Sequence, residues 1–355
     1  MIGTTYTNSS DEALLVKTDA NGNQLWNKSY AIGWGRAEVI EQTSDSGYIL
    51  GGSKGANNGE LSWLTKTDLE GNIEWNKTYG GIVGGPPFSI RQTLDGGYII
   101  AGCRYQSAIE EDIWLMKTDN EGNIQWKTTY SQTFGYYCCV RQTVDGGYVL
   151  AASTPWTNAS HGYALLVKID PEGKTQWNRT YGISGENWAT SVVQTSDGGY
   201  AIAVNVLPNA SPSEVWLIKT DLNGSVQWSR TYGGALVGPE VFSIEKTDDG
   251  GYIMGASTEI IRTDSNGGVV WTKSFSDPTS RYGYDAYVAQ QDLDGSYMIA
   301  GTRFDSQLGT YTLWLAEIAP FPPAASIVTY LVWSAAIPLG FIGFLALIET
   351  SRRKA

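Results

Sequence analysis

Trp114-Leu-Met-Lys-Thr-Asp119, Gly122-Asn-Ile-Gln-Trp126 and Gln142-Thr-Val-Asp-Gly-Gly-Tyr148 are three words that recur, in the same order, from one end of the chain to the other. The Lys-Thr-Asp word stands at Lys17, Lys66, Lys117, Lys168, Lys219 and, with arginine, at Arg262, in steps of 49, 51, 51, 51 and 43 residues. A tryptophan follows each time, at Trp26, Trp75, Trp126, Trp177, Trp228 and Trp271. The Asp-Gly-Gly-Tyr-like word ends on Tyr48, Tyr98, Tyr148, Tyr200, Tyr252 and Tyr297. Words locked in phase at a fixed period mark a repeat architecture, and they take precedence over any local reading.

Each repeat reads as four short strands, a to d. In the third, strand a is Cys138–Thr143, b is Tyr148–Ser153, c is Tyr163–Ile169 and d is Thr175–Tyr181. These runs are rich in β-branched and aromatic residues and are bounded by Gly, Asn and Asp. Val144-Asp-Gly-Gly147 between a and b, and Asp170–Gly173 between c and d, read as tight turns, and Asp-Gly and Asn-Gly supply the positive φ that a two-residue hairpin turn demands. No sustained apolar period of 3.6 precedes residue 324, so helix is not expected there. Four antiparallel strands in about 50 residues match a propeller blade, which buries its faces only against its neighbours. The fold class expected is therefore all-β, a β-propeller of four-stranded antiparallel blades. The strand-d tryptophans, and those of strand c (Trp63, Trp114, Trp216 and Trp314), are expected to fill the wedges between blades.

The order of strand a, Gly-Tyr-Ile-Ile-Ala-Gly and Trp-Leu-x-Lys-Thr-Asp-x-x-Gly-Asn-x-x-Trp resembles kelch repeats and the repeats of pyrroloquinoline-quinone (PQQ) propellers over residues 1–318. The likeness implies a blade, not an activity. The Gly pair that kelch blades carry after strand b survives at Gly51-Gly52, whereas Ala101-Gly102 and Ala151-Ala152 depart from it. No quinone-binding residues are matched, and no cofactor is expected. Asp19, Asp119 and Asp221 open Asp-x-Asn-Gly or Asp-x-x-Gly turns that invite a calcium reading, but the twelve-residue loop with its terminal glutamate is missing.

The chain begins inside a repeat, with Met1–Thr5 as the end of a strand b and no leader ahead of it. Five complete units run from about Ala37 to Phe275, and strands a, b and c recur at Asp285–Gln291, Tyr297–Thr302 and Thr310–Ile318. Seven blades fit with an incomplete one at each end. Six fit if an N-terminal strand d completes the last sheet. Seven is preferred, because the opening b and c strands would otherwise be left over.

Residues 1–318 form the propeller and 319–323 a Pro-rich linker. Residues 324–348 form an uncharged segment long enough for a transmembrane helix, and 349–355 a basic tail. Arg352-Arg-Lys354 after the span, with no Lys or Arg between Phe304 and Pro323, puts the tail in the cytoplasm and the propeller outside. Sequons at Asn8, Asn27, Asn76, Asn158, Asn178, Asn209 and Asn223 agree with an extracytoplasmic glycoprotein. A net charge of −12 and a pI near 4.6 disfavour nucleic acid as a partner. Three cysteines, Cys103, Cys138 and Cys139, offer no disulfide framework and read as small buried fillers. The one histidine, His161, leaves no set of histidines for zinc.

In such a ring the d–a and b–c loops share one face and the a–b and c–d turns the other. The turns are nearly the same in every repeat, whereas the loops vary, which is the pattern of a recognition face on a rigid scaffold. Ligand-binding candidates on it are Trp34, Arg36, Arg104, Tyr105, Tyr136, Tyr137, Trp156, His161, Trp188, Arg281, Tyr282, Tyr284 and Arg303. Phe134, Glu186, Glu240, Asp285 and Phe304 lie beside them. Aromatics next to charges suit a protein or glycan ligand. Strand a lines the central channel, through Glu41, Arg91, Arg141, Glu245 and Gln290. No Gly-x-Ser-x-Gly, His-Glu-x-x-His or P-loop is present. The expected function is a membrane-anchored, non-catalytic binding module. The alternatives are a hydrolase or lyase acting on surface carbohydrates, and a structural component of a surface layer.

Overall fold

A computed structural model describes residues 2–6, 10–19, 23–56, 59–105, 111–155, 162–208, 213–233, 240–257, 259–274, 284–292, 294–305, 310–318 and 335–336. It is an all-β propeller of seven blades. Blade one is β1 (Ile2–Tyr6), β2 (Asp11–Thr18) and β3 (Gln24–Gly33). Blade two is β4 (Gly35–Gln42), β5 (Tyr48–Ala56), β6 (Gly59–Thr67) and β7 (Ile73–Tyr79). Blade three is β8 (Pro87–Gln92), β9 (Tyr98–Tyr105), β10 (Glu111–Thr118) and the first half of β11 (Ile124–Gln142). The second half of β11 opens blade four, with β12 (Tyr148–Ser153), β13 (Ala164–Ile169) and β14 (Thr175–Tyr181). Blade five is β15 (Glu186–Gln194), β16 (Tyr200–Leu207), β17 (Glu214–Thr220) and β18 (Val226–Gly233). Blade six is β19 (Val241–Lys246), β20 (Tyr252–Ala256), β21 (Glu259–Thr263) and β22 (Val269–Ser274). Blade seven is β23 (Tyr284–Gln291), β24 (Tyr297–Asp305), β25 (Thr310–Ile318) and the two residues of β26 (Ala335–Ala336).

The six-bladed alternative is not what forms. β1, β2 and β3 make a sheet of their own, and blade seven takes its fourth strand from β26 rather than from the N-terminal segment. The expected linker, membrane helix and tail (319–355) lie outside the described residues, except for Ala335–Ala336, which are extended and pair with β25. Among the described residues no helix is long and apolar enough to cross a membrane.

The a–b turns differ from expectation by one residue. Gly146 N–H donates to Thr143 O, Gly146 sits at φ 81°, and Thr143 N–H donates to Gly147 O. This is a three-residue loop with a left-handed glycine, not a two-residue hairpin. Every strand a of blades two to seven carries a bulge. The extra residue is Glu38, Phe88, Thr190 and Phe242 in blades two, three, five and six.

The core lies between blades. Alternation along each strand sends Ile40, Tyr48 and Leu50 toward blade one, and Val39, Ile49 and Leu64 toward blade three. Six such clusters join successive blades from one to seven. The recurring words supply the ties. Each strand-d tryptophan meets the strand-b tyrosine of the next blade edge to face, from Trp26–Tyr48 at 6.0 Å to Trp271–Tyr297 at 5.3 Å. In blades one, two, four and five the tyrosine near the end of strand d donates to the c–d turn of the next blade, as Tyr79 Oη does to Gly122 O at 2.7 Å. The Gln of strand a accepts from the preceding blade's a–b turn, as Gln142 Oε1 does from Leu94 N at 2.8 Å. Trp63 and Trp114 also explain the glycines of strand b. A Cβ on Gly52 or Gly102 would stand 2.5 or 2.3 Å from the indole. Val204 opposite Trp216 shows that the other repeats solve this differently.

A further tie works within the blade. The strand-c lysine is buried and reaches the Asp of its own a–b turn. Lys117 Nζ, 2% exposed, donates to both oxygens of Asp95 (3.1 and 2.9 Å), to Thr118 O (2.7 Å) and to Gln125 Oε1 (3.0 Å). The same pair recurs as Lys66–Asp45, Lys168–Asp145, Lys219–Asp197 and Arg262–Asp249. Among the described residues blade one shows no a–b turn, and there Lys17 lies 5.8 Å from the ring of Tyr48. Cys103, Cys138 and Cys139 are buried and form no disulfide, as expected of fillers.

Candidate functional site

The strand-a register brings the expected channel residues to one level. Glu41, Arg91, Arg141, Glu245 and Gln290 each stand opposite the second residue of strand b: Ile49, Ile99, Val149, Ile253 and Met298. Four of them interact. Arg141 from blade four forms an ion pair with Glu245 from blade six. Glu41 of blade two accepts from Gln92 N at 2.6 Å and feels the charges of Arg91 and Arg141. Burial lifts the Glu41 carboxyl to about 7, against the pull of Arg91, the Gln92 amide and Arg141 and with the push of Glu245. Burial alone would lower the Arg141 guanidinium, but the Glu245 carboxylate outweighs it and holds the pKa above its usual value. Two guanidinium groups and two carboxylates thus form a network of balanced charge across the axis.

On the variable face, Trp34 bridges β3 and β4 and leaves 64% of its surface exposed, while its carbonyl accepts from Gly55 N at 2.8 Å. Arg36 is exposed at the start of β4. Arg104, at the end of β9, is half-buried and paired with the buried Asp112 through Nη2 at 3.0 Å. Trp188 and Glu186 are half-buried on β15, and Glu240 is exposed before β19. Phe134, Tyr136 and Tyr137 lie on β11, Tyr105 on β9, Tyr284 and Asp285 on β23, and Arg303 and Phe304 on β24. Trp156, His161, Arg281 and Tyr282 lie outside the described residues. Of the sequons, Asn27, Asn76 and Asn178 are exposed on the outer strands β3, β7 and β14, and Asn223 is exposed in a c–d turn. Asn8, Asn158 and Asn209 lie outside the described residues.

The c–d turns use their own carboxylates. Asp119 Oδ1 accepts from Glu121 N (3.0 Å) and Asn123 N (2.7 Å), and Oδ2 from Asn123 Nδ2 (2.8 Å). The loop's own donors therefore hold the oxygens that a calcium ion would use. Among the described residues no group of three or more His, Cys, Asp or Glu is placed to hold a metal.

Sequence reasoning passed over Glu38 and Asn187. Glu38, the bulge residue of β4, is 9% exposed. Burial raises its carboxyl to about 8, against the Ser53 hydroxyl, which donates to Oε1 at 2.8 Å; the neighbouring Glu60 raises it further. Asn187 is fully buried and ties the loop before β15 together through Ile183, Gly185 and Gly162. Neither belongs to a repeated word. An acidic residue at a position where other repeats have Phe88 or Phe242 was the available signal for Glu38.

No protein-family model matches the chain, and no curated protein does. Solved structures do. A protein of unknown function from Bacteroides caccae matches with a TM-score of 0.51 at 13% identity, over 84% of this chain and 97% of that one. The alpha-L-arabinofuranosidase of Fusarium graminearum, solved with arabinobiose, matches with a TM-score of 0.51 at 12% identity, over 80% and 93%. A puromycin hydrolase matches with a TM-score of 0.50 at 11% identity, over 79% of this chain and 45% of its own. At these identities the likeness shows the fold alone: the class is the β-propeller. Enzymes and a protein without a known role share it.

Proposed function

We propose that this chain is a membrane-anchored, extracytoplasmic β-propeller that binds a protein or glycan ligand on its variable-loop face without catalysis. The observation that carries this reading is the division of labour between the two faces. On the turn face, the Gln, Tyr, Lys and Asp side chains of the repeated words are engaged in holding blades to themselves and to each other. On the loop face, Trp34 and Arg36 stand exposed, in positions the scaffold does not need. Exposed aromatic and cationic side chains on a rigid platform are the usual means of recognising sugars and protein surfaces. The uncharged segment 324–348 and the basic residues Arg352, Arg353 and Lys354 support a single anchor with the tail inside, an arrangement that requires Ala335–Ala336 to leave β25. The exposed sequons agree with an external propeller. No cofactor is invoked.

The second reading, a hydrolase or lyase acting on surface carbohydrates, is favoured by Glu41 and Glu38, whose pKa values near 7 and 8 suit proton transfer. Binding ranks first because Glu41 sits in a charge-balanced network with Arg91, Arg141 and Glu245. The test is a glycan array and a panel of surface proteins probed with the full chain in detergent, with reducing-end release measured in parallel. Binding that Trp34→Ala weakens, without turnover, is expected. Turnover lost in Glu41→Gln would replace the binding reading by the enzymatic one.

A further inference from the structure

Blades two and three part at the variable face to leave a groove of about 300 Å3, the low end of the range for small-molecule sites. Gly59, Glu60, Leu61, Gly84, Gly85 and Arg104 line it. Alternation places more groups on the same side. Ser62, one step from Glu60 in the alternation of β6, donates to Val83 O and Gly85 O. Ser53 follows Gly51, whose Cβ would meet Val39, Leu64 and Pro87. The bulge in β4 turns Glu38 onto Ser53, with Glu60 close enough for its charge to act on it.

Two buried polar atoms here have no hydrogen-bond partner: Glu38 Oε2 and Arg104 Nε. An unpaired buried group costs roughly 1–3 kcal/mol, so two at one blade interface need a reason: Arg104 in the groove lining, and Glu38 on Ser53, whose strand partner Ser62 bonds to the lining Gly85. Glu38 carries its proton at neutral pH, so both orphans are donors. Each requires an acceptor oxygen. Glu60, on the rim, is an acceptor for hydroxyls. A bare dianion such as phosphate would meet repulsion from Glu60 and Asp112. A single carboxylate flanked by hydroxyls suits both signs.

We infer that this groove binds an acidic sugar, with its carboxylate accepting from Arg104, one hydroxyl oxygen accepting from Glu38 and another hydroxyl donating to Glu60. The inference rests on the binding-module reading and specifies its ligand. The exposed indole of Trp34, on the neighbouring loop, provides a platform for a further sugar ring.

The test is calorimetric titration of the full chain in detergent at pH 7 with trigalacturonate, with its uncharged galactose counterpart, and with a short peptide bearing a free C-terminal carboxylate. Trigalacturonate is expected to bind at least about tenfold more tightly than the other two, the range of a charge-assisted hydrogen bond. The double variant Arg104→Gln/Asp112→Asn leaves no buried charge alone and is expected to lose that preference while keeping its thermal midpoint. Glu38→Gln keeps the shape but cannot ionise. Its affinity should be the same at pH 7 and above pH 8, whereas the parent's should fall over that range, where Glu38 ionises beside Glu60 and the ligand carboxylate. Equal binding of the uncharged sugar, a preference for the peptide, or an undiminished preference in the double variant would each overturn the inference. If trigalacturonate does not bind but other glycans or surface proteins do, only this assignment falls. If nothing binds, the wider reading falls with it.

Discussion

The buried strand-c lysine offers an asymmetric perturbation. Lys117 is 2% exposed and holds four acceptor contacts, whereas Asp95, its anionic partner, keeps about half its surface in water, at 54% exposed. Asp95→Asn retains an oxygen for Thr93 Oγ1 and Gly97 N but removes the charge that compensates a buried ammonium. Breaking one side of a fully buried pair costs roughly 3–5 kcal/mol. The exposure of Asp95, and the remaining contacts to Thr118 O and Gln125 Oε1, reduce this to about 2 kcal/mol. Lys117→Met removes the buried charge itself and leaves Asp95 solvated. Its cost is the hydrogen bond to Thr118 O, about 1 kcal/mol. The variants should therefore rank opposite to the intuition that deleting the more buried residue is worse. Thermal unfolding of the full chain at pH 7 should show Asp95→Asn down by about 3 °C and Lys117→Met by about half as much. The reasoning fails if Asp95→Asn lies within about 1 °C of the parent, or if Lys117→Met is the more damaging change.

The same pairs set the response to acid. Partial burial would raise Asp45, Asp95, Asp145, Asp197 and Asp249, but the threonine hydroxyl of each turn, the cation and a glycine amide hold them below the usual carboxylate range, Asp197 at about 2. Carboxyls depressed in the folded state contribute stability that is present above pH 4 and lost as pH falls through their folded pKa. Denaturant midpoints should drop from pH 4 toward pH 2, and an Asp145→Asn/Asp197→Asn variant should flatten that drop. Glu41 behaves in the opposite sense. Its raised pKa makes ionisation oppose folding between about pH 4.5 and 7, so Glu41→Gln should gain stability relative to the parent across that window, measured by the same midpoints. Tyr79→Phe leaves Gly122 O without its donor and should cost about 1 kcal/mol in denaturant unfolding. Trp126→Ala removes the indole packed on Tyr148 at 5.6 Å and its bond to Pro171 O, and should cost about 3 kcal/mol.

What was legible in the sequence is what repetition writes several times. Strand order, the inter-blade role of Trp26 through Trp271 and the shared level of Glu41, Arg91, Arg141 and Glu245 all follow from counting residues between copies of one word. The partner of each lysine did not follow, although both partners stand in the quoted words. Lys117 and Asp95 are 22 residues apart in different words, and only the sheet, by folding β9 back on β10, brings the a–b turn under strand c. The three-residue turn was missed for a smaller reason. Asp-Gly suits both a two-residue loop and the glycine-bulge loop, and the choice lies in which amide closes it. Glu38 was missed because a bulge belongs to the pairing of two strands and leaves no period in either.

This difference bears on where function can reside. A side chain written into every copy is constrained by both its neighbours, since a change in one blade must be met by the next. Lys66, Lys117, Lys168, Lys219 and Arg262 each return to an aspartate of their own blade, and Glu317 stands at the corresponding place in blade seven with Asp294 in its turn, where no ion pair can form. Asp294 is held low there by Ser296 instead. Residues outside the repeated words carry no such obligation. Glu38, Arg104 and Asp112 break the pattern in two adjacent blades, at one end of one interface, and leave donors buried and unsatisfied. A packing role would have been served better by a phenylalanine, which blades three and six place at the bulge as Phe88 and Phe242. The retention there of an acid with one carboxyl oxygen unsatisfied is the strongest physical ground for placing recognition between blades two and three.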